Sequence, residues 1–500
     1  MREPLHPRAL TELLVGAASV SPRPTAENAC AELLSRALPE GLEQGRVWTP
    51  DQRAILWAHR PGRGRRVTLM LGHHDTVGAD EFASIETPLG SHIAFSPRPL
   101  RDALLDHADR HGAPESVLAD LAEEREAPGT WMFGRGALDM KSGLAAGVAA
   151  ISTLAESEAP ETGVVFASCP DEEVDSAGMH ALVHALPAWL QSRDLELAGV
   201  LNLDFCEGPH IHVGAMGKLR AMLWVLGAPT HVGAPFAGVD AAFVAGALAR
   251  ALPLSPALID RSAGEVGPAA AVLRLRDLKE RYDVQTAPEA VLELNVQTLA
   301  RGPDETLIAV RDAAREALAS LASDVRSLSG NTTAWREAPA VMTFGELMAA
   351  AGEALPSSVP GDPTALAIAE LRSLARRAGL AGPAVIVALL PPFYPHTAAG
   401  NSSFTRMITE TLAAVGVESK GPYPFITDSS LVAGDARLAA AAARWTPGAM
   451  RASFPPPPLG VDVVNLGPWG RDAHGLWERV RADWAFDLLP RLIERVLRAV

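Results

Sequence analysis

Five short segments gather the residues whose types and spacing can do polar chemistry. The first is Gly72-His73-His74-Asp75-Thr76-Val77. His73 and Asp75 stand two apart on a segment that reads as extended, so they share a side. A carboxylate on one ring nitrogen fixes the tautomer of an imidazole whose other nitrogen binds a metal. The second, Gly134-Arg135-Gly136-Ala137-Leu138-Asp139-Met140-Lys141-Ser142-Gly143, sets Asp139 where the chain turns into a helix. There it can bridge two cations or simply cap the helix. The third is Asp171-Glu172-Glu173. Three neighbouring acids repel unless solvated or neutralised by cations. An exposed acidic turn meets that condition. So does a division of labour in which one carboxylate holds a metal and its neighbour handles a proton. The fourth is Asp204 in Asn202-Leu203-Asp204-Phe205, and the fifth is His474, far along the chain in the segment 464–478. Taken together, His73, His474, Asp139, Asp204 and one acid of the third segment, with a glutamate to spare, suit two borderline-hard divalent ions. Zinc is the first choice, with cobalt or manganese as alternatives.

These segments follow strand-like runs, where open α/β sheets collect their active-site loops. The runs lie at 67–71, 164–167, 200–203, 384–390 and 461–466, and several lead into alanine-rich helical stretches such as 142–155. Strands alternating with helices predict an α/β sheet covered on both faces. From 217 to about 327 the character changes to strand, helix, two strand-like runs at 270–276 and 291–299, and a helix. The predicted architecture is a three-layer α/β/α catalytic domain interrupted by an α+β lid of dimerisation type. Its expected bounds are 1–215 and 329–500 for the catalytic segments and 216–328 for the lid. The stretch 78–130 reads as a long insertion with helical parts, and the tetraproline 455–458 as an extended entry to the last strand.

Composition narrows the class. The chain has 500 residues, 48% hydrophobic, with a net charge of −15, so a large core is available and a general nucleic-acid surface is not expected. The basic run Arg63 to Arg66 reads as flanking a surface turn. Cys30, Cys169 and Cys206 form no CxxC pair and no disulfide framework. The N-terminus lacks the apolar stretch of a signal peptide, and no window of about 18 apolar residues predicts a membrane span. The expected location is the cytoplasm.

In this order the segments resemble the ArgE/DapE/carboxypeptidase G/aminoacylase family of dinuclear zinc hydrolases (clan MH). Within it they are most similar to the RocB-type arginine-utilisation proteins, through the Phe133–Gly143 segment and the segments 214–218, 230–233, 282–287, 391–396 and 464–474. The resemblance implies that Asp139 bridges both metals, that His73 and Asp204 complete one site, and that Glu173 and His474 complete the other. Asp75 would hold His73. Glu172 would be the general base that takes a proton from the bridging water and delivers it to the leaving amine. His231, on the lid, would hydrogen-bond the oxyanion as the domains close.

The implied reaction is hydrolysis of an amide in a small peptide or N-acyl amino acid, with a link to arginine. A homodimer through the lid is implied as well, with His231 acting in its own subunit's site or in the partner's. The resemblance singles out no substrate-carboxylate clamp. Arg274 and Arg301 are candidates by region only, and each reads equally as structural. His396, Thr397 and Asn401 match subgroup positions that can face a cleft, and His74 is expected to point away. The competing reading is a metal-stabilised, non-catalytic amino-acid-binding or regulatory protein on the same fold. A serine hydrolase using Ser402, Ser403, Ser429 or Ser430 lacks the GxSxG elbow.

Overall fold

The computed structural model describes residues 5–262, 264–329, 333–352, 362–398, 400–448, 450 and 457–500. They form two units, one of 1–215, 397–434 and 459–500, the other of 216–396 and 435–458.

In the first unit, eight strands pair in the order Glu43–Trp48, Ala54–Arg60, Gly163–Cys169, Arg66–His73, Glu196–Asn202, Val463–Asn465, His210–Val213 and Glu418–Lys420. The middle strands, from Gly163–Cys169 to Val463–Asn465, run parallel. Alternation along them sorts side chains to two faces. Met70, Val164, Phe166 and Leu201 join a core with the helices Pro7–Gly16, Pro24–Ala37, Ser142–Ala155, Ser403–Ala413 and Leu489–Ala499. The alternate set, Leu69, Leu71, Val165 and Ala167, is buried too, and the helix Ala177–Ser192 packs on this sheet as its third layer. A parallel sheet covered twice must be apolar on both faces, which is why its strands read as unbroken apolar runs.

The insertion at 78–130 contributes the helices Pro97–His111 and Glu115–Glu126. Its Phe82, Ile93, Leu100 and Leu104 pack with Trp131, Phe133 and Trp477. Trp131 and Phe133 belong to a small sheet of Gly470–Arg471, Arg479–Arg481 and Trp131–Phe133. The insertion is therefore the buttress of the strands that flank the Asp139 turn and the His474 loop.

The second unit has five strands in the order Ala271–Asp277, Glu289–Thr298, Gly217–Leu226, Ala384–Tyr394 and Ala340–Thr343. Leu219, Ala221, Leu223 and Val225 face the helices Ala241–Ala251 and Pro303–Ser329, while Met222 and Trp224 face Phe344–Ala351 and Pro363–Arg377.

One expected boundary is corrected here. The chain does not return to the first unit at 329. The run at 384–390 pairs instead with Gly217–Leu226 in the second sheet, and the return comes at Thr397. A later excursion, 435–458, places Ala442 and Trp445 in the second core. The physical reason is that Ala384–Tyr394 is buried along its whole length. Such a run declares an interior strand without declaring which interior.

Smaller expectations resolve simply. Arg63 and Arg65 lie exposed on a turn between strands, paired with Glu161 and Asp194. The three cysteines are buried free thiols. Pro455 and Pro456 lie outside the described residues, and no described helix is long and apolar enough to cross a membrane.

Candidate metal centre

Register brings the site together. His73 pairs with Cys169, and Leu71 with Asn202, so three neighbouring parallel strands end level. The loops carrying Asp75, Glu172 and Asp204 leave from that common edge.

His73 is only 3% exposed. Its Nε2 lies 3.0 Å from Asp139 Oδ1, and its Nδ1 lies 3.4 Å from Asp75 Oδ1. Asp75, fully buried, also accepts the backbone N–H groups of Glu172 at 3.1 Å and Glu173 at 3.2 Å. One carboxylate thus orients both an imidazole and the acidic loop. Burial would raise the Asp75 pKa, but the hydrogen bond and charge of His73 hold it below the ordinary range.

The three consecutive acids separate in role. Asp171 is paired with the buried Arg53, accepts from Ser21 Oγ at 2.9 Å and from the Ala177 N–H at 3.0 Å. Glu173 turns instead toward His474, whose Nε2 is 3.0 Å from Glu173 Oε1. The same Nε2 is 3.0 Å from Asp139 Oδ2. Asp139 therefore has one oxygen on His73 and the other on His474. Donor atoms of His73, Asp139 and Glu173 all fall within 4.8 Å of one another. Asp204 is buried, with Oδ1 accepting the Phe205 N–H at 2.8 Å.

Electrostatics say what is lacking. Asp75, Asp139, Glu172, Glu173, Asp204 and Asp428 converge on His73 and His474. Burial, followed by the repulsion of neighbouring acids, drives Glu172 and Asp204 well above the usual carboxylate range. Burial and the charges of Asp75 and Asp171 bring Asp428 to about 7. The hydrogen bonds to Asp139 and Glu173 lift His474 to about 11. Asp428 Oδ2 and the Tyr423 hydroxyl are buried and have no hydrogen-bond partner among the described residues. A surplus of buried carboxylate oxygens with two imidazole nitrogens is a donor set that fits a pair of divalent cations.

Sequence reasoning missed the scaffold behind these groups. Arg135, 1% exposed, joins Glu478 and Glu81 and donates to the carbonyls of Gly78 at 2.9 Å and His474 at 3.1 Å. Glu478 Oε1 in turn accepts the N–H groups of Leu138 at 3.2 Å and Asp139 at 3.4 Å. Arg135 and Glu478 stand inside the segments that were singled out, but nothing in their spacing links residues 343 apart. Asp428 and Tyr423 had no signal at all, since the strand they follow, Glu418–Lys420, is three exposed residues with no apolar run to announce it.

The other candidates fall elsewhere. His74 turns from the centre to Ser168 Oγ at 2.9 Å, and burial lowers its pKa to about 3. His231 belongs to the second unit and is exposed; its Nδ1 accepts the Gly233 N–H at 3.0 Å, so the neutral ring carries its proton on Nε2. Arg274 is engaged with Glu293 and Asp362, and Arg301 with Asp260 and the Ala257 carbonyl. His396 Nδ1 meets Thr298 Oγ1 at 3.3 Å, Thr397 Oγ1 accepts the Ala215 N–H at 2.7 Å, and Asn401 is exposed. Ser402 caps a helix, and Ser429 and Ser430 bond within the Thr427 turn.

Comparison with known proteins bears on this geometry. A family model described as peptidase family M20/M25/M40 matches residues 114–458. An uncharacterised protein of Bacillus subtilis, YqjN, is 27% identical over 87% of this chain and 84% of its own length. Protein RocB of the same organism is 25% identical over 89% of this chain and 84% of its own. A succinyl-diaminopimelate desuccinylase of Cereibacter sphaeroides is 29% identical over 46% of this chain and 52% of its own. Among solved structures, a Staphylococcus aureus tripeptidase superposes with a TM-score of 0.57 at 14% identity, covering 100% of this chain and 98% of the other. A Bacillus subtilis dinuclear metal-binding peptidase of the M20 family gives 0.50 at 11% identity, covering 98% and 96%.

Proposed function

Because this chain belongs to peptidase family M20/M25/M40, we propose that it hydrolyses an amide bond in a small peptide or N-acyl amino acid. In this reading His73 and Asp204 hold one divalent ion, Glu173 and His474 hold a second, and Asp139 is shared. Zinc is the first choice on donor type. The observation that carries the reading is the Asp139 carboxylate, whose two oxygens each lie 3.0 Å from a different histidine Nε2. Bound there, two cations supply a lowered water pKa and a polarised amide carbonyl.

The chain's own residues do the rest. Glu172 stands next to a ligand, partly open to solvent, on a backbone pinned by Asp75. It takes the proton of the attacking water and hands it to the departing amine. His231 donates its Nε2–H to the carbonyl oxygen as negative charge builds, an interaction worth about 3 kcal/mol in comparable sites. In this scheme the first unit is the catalytic domain and the second a lid through which two chains pair. The likeness to RocB supports arginine-containing amides as the first substrates to try.

The deciding experiment measures hydrolysis of N-acyl amino acids and dipeptides, several containing arginine, by zinc- or cobalt-loaded protein beside Glu172→Ala. Turnover that disappears in the variant while its metal content is unchanged is the expected result. Equal turnover by Glu172→Ala sinks the assignment of the base. A ligand bound and recovered intact by both proteins moves the reading to a binding role.

A further inference from the structure

A second convergence of metal-type donors lies in the first unit, away from the residues assigned above. The segment Glu207-Gly208-Pro209-His210-Ile211-His212 folds back so that Glu207 meets the strand His210–Val213. His210 and His212, two apart on that strand, project to the same face. Their Nε2 atoms are 3.2 Å apart. Glu207 Oε2 is 3.3 Å from His212 Nε2, and Oε1 is 3.4 Å from His210 Nε2. Each nitrogen thus faces its own oxygen of one carboxylate, and one donor atom from each of the three residues falls within 4.8 Å of the others. A tetrahedral zinc ion with bonds of about 2.0–2.1 Å holds its ligands about 3.3 Å apart.

The tautomer of neutral His212 is fixed from outside the cluster. His212 Nδ1 is 3.1 Å from the carbonyl of Gly421, which can only accept, so Nδ1 carries the hydrogen. In neutral His212 the Nε2 lone pair then faces a carboxylate and a second imidazole nitrogen. A ring N–H held by a backbone carbonyl is the arrangement that orients a metal-bound imidazole. His210 and His212 are buried, whereas the Glu207 side chain is 45% exposed, which leaves one side open for a solvent ligand.

We infer that Glu207, His210 and His212 form a further zinc site, distinct from the Asp139 centre and independent of the amide-hydrolase reading. The ion would fasten the Glu207 turn to the strand His210–Val213. Through Gly421 it would also hold the segment that carries Tyr423, whose ring stands edge-on to His212 at 5.6 Å. Its role is to brace one wall of the unit.

The test is the zinc content of metal-stripped full-length protein reloaded with excess zinc chloride and desalted. His212→Ala and Glu207→Gln are expected to bind one equivalent less than the wild type, and Asp139→Asn to retain this equivalent. Equal zinc in the wild type and Glu207→Gln overturns the inference. If His212→Ala fails to fold, anomalous diffraction at the zinc edge from wild-type crystals decides. A peak about 2 Å from all three donor atoms is expected. A peak at the Asp139 centre with none here identifies a protonated histidine pair and overturns the inference.

Discussion

Asp75 is the residue on which most of the candidate centre converges. It braces His73 on one side and the Glu172 and Glu173 N–H groups on the other. Asp75→Asn keeps the shape but places an amide donor against groups that are themselves donors. Metal affinity is expected to fall about 10–100-fold, read by competition with a chromogenic chelator. Unchanged affinity would remove Asp75 from the supporting role. At this scale the sequence was informative wherever a residue type was chemically unusual for its surroundings. Three acids in a row, or a histidine ending an apolar run, announce themselves. Arg135, Glu478, Asp428 and Tyr423 do not, because each is ordinary locally and acquires meaning only from partners distant in the chain. The diversion of Asp171 was invisible for the same reason, since Arg53 claims it from more than a hundred residues away.

Elements set how closely these residues can approach. The loop after Val463–Asn465 passes so near Asp204 that a Cβ on Gly467 would lie 1.9 Å from the Asp204 carbonyl oxygen. Gly467→Ala must push that strand end away. A loss of about 1–3 kcal/mol of stability and at least about tenfold in turnover is expected, measured by thermal unfolding and initial rates. Gly246, in the helix Ala241–Ala251, has nothing within 4 Å of its would-be Cβ. Gly246→Ala is the control and should gain about 0.5–1 kcal/mol with turnover unchanged. Helix and strand character was largely readable from apolar periodicity, as the stretch at 142–155 shows. Membership of a sheet was not. Ala384–Tyr394 looked like a catalytic-sheet strand because burial on both faces erases the alternation that reports its neighbours.

At the scale of the whole molecule, stability should carry a pH signature. Glu27 is fully buried beside Arg53, and burial, with the charge of Asp75, lifts its pKa from 4.5 to about 7 against the pull of Arg53. The folded state therefore keeps a proton that the unfolded chain releases. That contribution is whole below pH 4.5 and is lost as pH rises through about 7. It is on the order of 3 kcal/mol. Unfolding of metal-free protein across that window should show a flatter slope for Glu27→Gln, and an identical slope rules Glu27 out as the source. Assembly has its own test. If His231 serves a partner's site, mixing His231→Ala with Glu172→Ala chains restores up to about a quarter of wild-type turnover, since half the dimers carry one intact site. No recovery after subunit exchange places His231 in its own chain's reaction. Composition bounded this level well, through size and acidity, but the second excursion of the chain at 435–458 left no mark in the sequence.

The strand Val463–Asn465 lies between Glu196–Asn202 and His210–Val213, although nearly all of the chain precedes it. During synthesis those two strands emerge first and must wait for more than two hundred further residues, roughly tens of seconds at ordinary elongation rates. Through that interval Glu196–Asn202 presents an open apolar edge next to His73, the kind of edge that recruits a wrong strand or a chaperone. His474 arrives later still. The nascent protein thus holds most of its metal-type donors well before it can arrange them, and a divalent ion met too early on the ribosome would find a looser set of ligands than the finished one.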